Sequence, residues 1–317
     1  MMTNRRLTYR AFLILCAILY SGQLCFAQAE FPRAIRTYQK INDNAAQIKK
    51  ARISRSTEIL VLPGSEDTMK TTYYDPDGYI LSETSLVDTS SGKKGEFITR
   101  KYYFVYNNYK LLTEKIDSTS ANTKKYYLKY DEFYNITEEQ LFIQNKQVQK
   151  YEYEYDDLSR LIESEMKDIV NDCKVIETYD YDSYNNLVRV TVKNKCIPGE
   201  DKPIETKYNY TYDKEYRILE KKTIATSGEY KTETFTYTAD GKPETSNEIT
   251  GRDTYINRKY VYENNTVRIK KTETTGELTS TSDILIKYDK NGSRILEEYY
   301  DPAGKLLYSY KFVYNYY

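Results

Sequence analysis

The chain has 317 residues, with 47 basic and 47 acidic side chains, no histidine, no tryptophan and 37 tyrosines. A formal net charge of zero lacks the basic footprint that phosphate backbones require, which argues against nucleic acid as a partner. The lack of histidine removes Ser-His and Cys-His nucleophile pairs and the commonest zinc ligand.

The first segment reads as an export signal. "MMTNRRLTYR" places Arg5, Arg6 and Arg10 ahead of the apolar run "AFLILCAILYSG", and Ala27 and Ala29 follow as a small-x-small pair. The run is too short for a spanning helix, so residues 1–29 are expected to be a cleaved signal peptide and the mature chain to start near Glu30. Cys16 and Cys25 each follow a leucine, which does not suit lipoprotein cleavage. The expected location is periplasmic, outer-membrane-associated or extracellular, without a lipid anchor. Removing residues 1–29 leaves 44 basic against 47 acidic side chains, a net charge of −3.

Residues 30–50 are expected to form a helical cap. In "FPRAIRTYQKINDNAAQIKK", Ile35, Tyr38, Ile41, Ala45 and Ile48 share a helical face, which predicts a helix over about 32–49 covering the first strand edge. "INDN" in its middle is a poor helix former. A first strand, "ARISRSTEILVL", is expected next.

From residue 51 to 317 one unit recurs. Its anchors are Tyr74, Tyr106, Tyr130, Tyr155, Tyr181, Tyr212, Tyr237, Tyr262, Tyr288 and Tyr300. Successive spacings are 32, 24, 25, 26, 31, 25, 25, 26 and 12, a period near 25 with two insertions. The incoming arms alternate, as in "YEYEY", "YNYTY", "KYYLKY" and "ILIKY", the signature of half-buried strands. Turn sequences such as "DPDG", "DKNG", "DPAG", "TADG" and "DSYNN" follow at once. Outgoing arms then begin with an aliphatic residue: Leu161, Leu187, Ile218 or Leu306. Each unit is therefore expected to be a β-hairpin with a return loop. Tyrosine suits such a sheet, because its ring buries area while its hydroxyl keeps a polar partner.

Cys173 and Cys196 are the only cysteines beyond the export signal, and they bracket one hairpin symmetrically about its turn. Antiparallel neighbours at that open end lie within disulfide range, so a Cys173–Cys196 bridge is expected in an exported protein.

"YDPAGKLL" (300–307), "YDKNGSRIL" (288–296) and "YDDLSRLIE" (155–163) resemble the YD repeat of RHS-type proteins, with degenerate copies at Tyr106, Tyr237 and Tyr262. The resemblance spans roughly residues 70–310. It implies tandem antiparallel hairpins in one long sheet, which in large family members curls into a hollow shell around a cargo. About twenty strands are expected here, as an all-β long curved sheet or a small closed shell.

No chemistry-bearing constellation emerges. There is no Gly-rich phosphate loop and no HExxH. Carboxylate pairs such as Glu163 with Glu165, or Glu297 with Glu298, sit on strands among lysines, whereas a glycosidase needs two carboxylates across a cleft. The "DPDG" turns offer too few oxygens for calcium. No enzyme, metal or cofactor is expected. The tyrosine rows are expected to be mainly a packed face and otherwise a binding surface. The leading expectation is a non-catalytic envelope scaffold that binds a protein or glycan through its sheet. The alternatives are a purely structural envelope shell, an outer-membrane β-barrel or an unrecognised hydrolase. The barrel alternative conflicts with the Glu-bearing second face of "YEYEY".

Overall fold

The computed structural model describes residues 42–88, 97–197, 199 and 202–317. The expected signal peptide and residues 30–41 of the expected cap lie outside the described residues. Among the described residues one short helix, α1 (Ala45–Ala51), precedes twenty strands. The first ten are β1 (Ile53–Leu62), β2 (Ser65–Tyr74), β3 (Ile80–Asp88), β4 (Phe97–Tyr106), β5 (Leu112–Ser118), β6 (Thr123–Tyr130), β7 (Ile136–Ile143), β8 (Lys146–Tyr155), β9 (Leu161–Asp168) and β10 (Cys173–Tyr181). The second ten are β11 (Leu187–Asn194), β12 (Ile204–Tyr212), β13 (Ile218–Ala225), β14 (Tyr230–Tyr237), β15 (Pro243–Thr250), β16 (Thr254–Glu263), β17 (Thr266–Thr275), β18 (Leu278–Tyr288), β19 (Arg294–Tyr300) and β20 (Leu306–Tyr316).

Each strand pairs antiparallel with the one before and the one after it. β1 also pairs with β20, with Glu58 opposite Phe312 and Leu60 opposite Tyr310. The sheet is therefore a closed, 20-stranded, up-and-down barrel without a free edge. This is more specific than the expected curved sheet or small shell. It also corrects the expected role of the helix: β20, not the helix, covers the edge of β1.

Connections that follow even-numbered strands form one rim, called upper here, and those that follow odd-numbered strands form the lower rim. The Tyr-Asp turns from β2–β3 to β18–β19 all lie on the upper rim. The final copy does not. Tyr300 ends β19, so its "DPAG" turn falls on the lower rim, half a period out of phase, and Leu306 is exposed. The two long spacings have one cause: each contains a longer lower-rim connection, between β3 and β4 and between β11 and β12.

The two faces of the sheet differ as the alternation predicts. On one face buried Tyr153 pairs with buried Ser164 and buried Tyr179 with half-buried Val190, while on the other half-buried Glu152 pairs with half-buried Glu165. The tyrosine face is the inner one. Gln47 donates to the Gly292 main-chain oxygen (2.9 Å) beside β19, while Asn42 donates to the Tyr106 hydroxyl (3.1 Å) on β4. Those strands are five spacings apart, about 24 Å around the sheet, and residues 42–47 reach about 17 Å even when extended. So short a segment joins them by crossing the concave side.

Within the described residues the helix starts later than predicted, at Ala45. Asn42, Asp43 and Asn44 form a turn instead, as residues whose side chains compete for backbone hydrogen bonds tend to do. The helix ends at Arg52, which adopts a left-handed conformation.

The expected disulfide is present. Val175 pairs with Asn194, and two residues further along that register Cys173 faces Cys196, with 5.0 Å between Cα atoms.

Candidate functional site

The repeat unit comes first, because it positions everything else. In the turn after Tyr155, the Asp156 carboxylate accepts from the N–H groups of Leu158 (3.0 Å) and Arg160 (2.9 Å). Asp75, Asp131, Asp182, Asp213 and Asp289 each receive the same two main-chain donors in their own turns. The carboxylate thus satisfies donors that the strand ladder leaves unpaired. In eight of the nine upper turns the fourth residue has positive φ: glycine at 78, 241 and 292, but Lys110, Tyr134, Ser159, Asn185 and Tyr216 elsewhere; the shorter β16–β17 turn has it at Asn264 instead. Bulky side chains there carry about 1 kcal/mol or more of backbone strain.

The anchor tyrosine locks neighbouring units. Tyr155 donates to the main-chain oxygen of Ile136 (2.8 Å), the first residue of the preceding hairpin's outgoing arm. Tyr106 does the same to Ile80 (2.9 Å), Tyr130 to Leu112 (2.6 Å), Tyr181 to Leu161 (2.8 Å) and Tyr237 to Ile218 (2.8 Å). The turn's basic residue completes the unit by covering the next anchor ring. Arg160 lies 4.9 Å from the Tyr181 centroid, Arg217 4.8 Å from Tyr237 and Lys242 5.2 Å from Tyr262. The aliphatic residue is buried on the inner face, with Leu161 and Leu187 each 1% exposed.

Not every anchor behaves alike. In β12 it is Tyr210 that donates to Leu187 (3.0 Å), while Tyr212 accepts from Asn186 (2.5 Å). In β20 Tyr314 takes the role and donates to Arg294 (2.6 Å). The sequence reading missed both, because each lies off the Tyr-Asp pair that marked the others. Tyr74 pairs its hydroxyl with Ser56 (3.0 Å), and the buried Tyr262 hydroxyl has no hydrogen-bond partner. Tyr300 faces outward opposite Asp283 and stands outside the inner row.

The inner face is aromatic along one arc and ionic along another. Leu112, Leu128, Ile136, Tyr153, Leu161 and Tyr179 form a continuous cluster over β5–β10. Over β13–β16, Lys221 pairs with Glu233 (3.3 Å), Lys231 with Glu233 (3.1 Å) and Glu248 (3.4 Å), and Arg258 with Glu248 (3.5 Å). Burial holds the tyrosine hydroxyls in their neutral form, pushing Tyr106, Tyr126 and Tyr130 up to about 12. At the upper mouth, α1 roofs a cavity of about 270 Å³ lined by Glu58, Lys70, Tyr74, Glu83, Arg294 and Phe312. Burial raises the Glu58 carboxyl against the opposing pull of Lys70 and Arg294. Among the described residues, no three His, Cys, Asp or Glu side chains converge as a metal site.

The outer face carries a lattice of ion pairs, interspersed with exposed apolar side chains such as Tyr103, Val105, Val261 and Val313. Lys129–Glu138 (2.7 Å), Glu138–Lys150 (3.1 Å), Lys150–Glu152 (2.8 Å), Glu152–Lys167 (3.0 Å), Lys167–Glu165 (3.3 Å) and Glu165–Lys174 (2.6 Å) form an unbroken chain across β6–β10. A separate Arg189–Asp180 pair bridges β10 and β11. Among the described residues, no helix is long and apolar enough to cross a membrane, which says nothing about strands.

The chain matches no family model and no curated protein. It is similar in structure to a chain of the TcdB2-TccC3-Cdc42 crystal structure, at 12% identity and a TM-score of 0.36, over 78% of this chain and 18% of that one. It is also similar to a porin-like protein from Bacteroides uniformis ATCC 8492 (11% identity, TM-score 0.37, 83% of this chain and 98% of that one). A porin-like protein from Bacteroides vulgatus ATCC 8482 matches at 12% identity and a TM-score of 0.22, again over 83% and 98% of the two chains. The chain thus spans about a fifth of the first of these and nearly all of the other two. Likenesses this distant carry no argument about function.

Proposed function

We propose that this protein is an exported, non-catalytic barrel of the cell envelope that works in water and binds a protein or carbohydrate partner. The observation that carries the reading is the outer ion-pair chain from Lys129 to Lys174. A lysine or arginine at the bilayer midplane of a barrel's lipid face costs about 2–4 kcal/mol, and this belt holds many. In water the same pairs are nearly neutral in energy and keep the surface soluble. The repeat chemistry supports membership of the YD-repeat class, because each signature residue has a structural task. Those tasks occupy the recurring turn aspartates, each of which accepts main-chain donors in its own turn.

The test is partition. Mature protein is expected to fold without detergent, remain in the aqueous phase and stay at the bottom of a vesicle flotation gradient. Immobilised, it is expected to retain a component of solubilised envelope saturably. Retention no greater than that of an unfolded control would leave a purely structural shell.

One observation favours a second reading, the outer-membrane barrel. Closure of an even-stranded antiparallel sheet, with exposed aromatics on both rims (Tyr109 and Tyr216 above, Phe97 and Tyr255 below), is the architecture of such barrels. Folding that requires detergent, together with flotation on vesicles, would establish it in place of the first.

A further inference from the structure

Glu58, half-buried in the middle of β1, lines the cavity beneath α1, and among the described residues no group hydrogen-bonds or ion-pairs with its carboxylate. The two cations whose field reaches it are committed elsewhere. Lys70, opposite Glu58 on β2, ion-pairs with Glu83 (2.7 Å). Arg294 ion-pairs with Glu297 and covers the Phe312 ring, 4.3 Å from its centroid. Three carboxylates, Glu58, Glu83 and Glu297, thus act on one another against two cations, which leaves this part of the lumen one negative charge in excess. The fold keeps that charge half-buried and gives it no partner, a cost in free energy that a bound cation recovers.

The rest of the lining specifies the cation. Ser56 and Tyr74 share one hydrogen bond between their hydroxyls (3.0 Å), and the buried Thr72 lines the cavity beside them. Each hydroxyl oxygen has two lone pairs, so acceptors remain for a group with several N–H donors. Ile48 in the roof, with Ile80 and Phe312 in the wall, supplies apolar surface. The volume, about 270 Å³, falls just below the range that takes drug-sized ligands. Lys70 and Arg294 oppose a second positive charge. One free carboxylate is too few for a divalent metal ion.

We infer that this cavity binds a small primary monoamine, with its ammonium on Glu58 and the neighbouring hydroxyls and its short apolar body against Ile48, Ile80 and Phe312. An ammonium brings the single positive charge that balances the lumen and three N–H donors for the oxygens. A quaternary amine has no N–H donor, and the ring face it needs is already covered by Arg294. The site goes beyond the macromolecular partner proposed above and does not depend on it.

The test is isothermal titration of the full mature chain with hexylamine and phenethylamine at neutral pH. Saturable binding of at least one of them is expected. Hexanol, phenethyl alcohol and hexamethylenediamine are each expected to bind at least tenfold more weakly. Glu58→Gln is expected to weaken amine binding at least tenfold, about 1.4 kcal/mol. It removes a half-buried charge that has no partner, so the melting temperature of the empty protein is expected to stay level or rise, and lost binding is not lost folding. Glu58→Asp keeps the charge and is expected to retain weaker binding, while Glu66→Gln, on the outer face beside Lys311, keeps all of it. Saturation by neither amine, or equal binding of the alcohols or the diamine, overturns the inference. So does amine binding that survives Glu58→Gln or falls equally in Glu66→Gln. Each of these failures leaves the aqueous partition and the envelope retention unchanged, so they are distinct from a failure of the broader reading.

Discussion

The Tyr155 hydroxyl donates to the main-chain oxygen of Ile136 at 2.8 Å, whereas the equivalent hydroxyl of Tyr262 is buried with no hydrogen-bond partner. The two tyrosines hold the same place in the repeat, so they form a controlled pair. Tyr155→Phe removes a made hydrogen bond and is expected to lower stability by about 1 kcal/mol in urea unfolding. Tyr262→Phe removes a hydroxyl that was desolvated without return, and is expected to be neutral or slightly stabilising. Equal losses at both positions would show that the carbonyl lock contributes nothing.

Gly78 and Gly304 offer a second contrast. A Cβ on Gly78 would lie 2.1 Å from the Ala45 main-chain oxygen, while one on Gly304 would meet nothing within 4 Å. Both have positive φ, so alanine costs about 1 kcal/mol in strain at either site. Only Gly78→Ala is expected to lift α1 from the rim, which trypsin would report as faster cleavage after Lys49, Lys50 or Arg52. Unchanged cleavage in Gly78→Ala would mean the helix is not seated on that turn.

Reduction of Cys173–Cys196, which closes a separation of 23 residues, is expected to cost about 3 kcal/mol through the greater freedom of the unfolded chain. The paired substitution Cys173→Ala with Cys196→Ala should reproduce the effect in denaturant midpoint. A shift below about 1 kcal/mol would show that the β9–β12 ladders already restrain that hairpin's open end.

Alkaline pH is expected to unfold the barrel. Burial raises Tyr106, Tyr126, Tyr130 and Tyr212 to about 12 in the folded state, against 10 when unfolded. Above pH 10 the unfolded chain therefore binds fewer protons than the folded one, and stability falls as pH rises. The contribution is intact below about pH 10 and is lost progressively towards pH 12. Tyrosinate absorbance and circular dichroism should change together in that window. Ionisation of all tyrosines near pH 10 with the fold retained would contradict it.

The hairpins, their period, the turn glycines and the disulfide were legible in the sequence, because each is set by residues within about 25 positions of one another. Strand alternation also separated the faces correctly, since "YEYEY" can only put tyrosine on one side and glutamate on the other. The same local reading misplaced Tyr300. Its "YDPAG" is a faithful copy of the motif, but it comes one strand after Tyr288 instead of two, which puts that copy on the opposite rim.

Only the tertiary structure decided closure. The β1–β20 ladder joins residues about 250 positions apart, and nothing in either strand marks it as anything but one more half-buried arm. Whether a twisted sheet ends open or meets itself depends on the summed twist and stagger of all twenty strands, a global quantity that no local pattern encodes. Closure in turn made the tyrosine face an interior and put the lysine–glutamate chain outside. The sequence by itself determined what each hairpin would be; the ring of hairpins determined which surfaces a partner can reach.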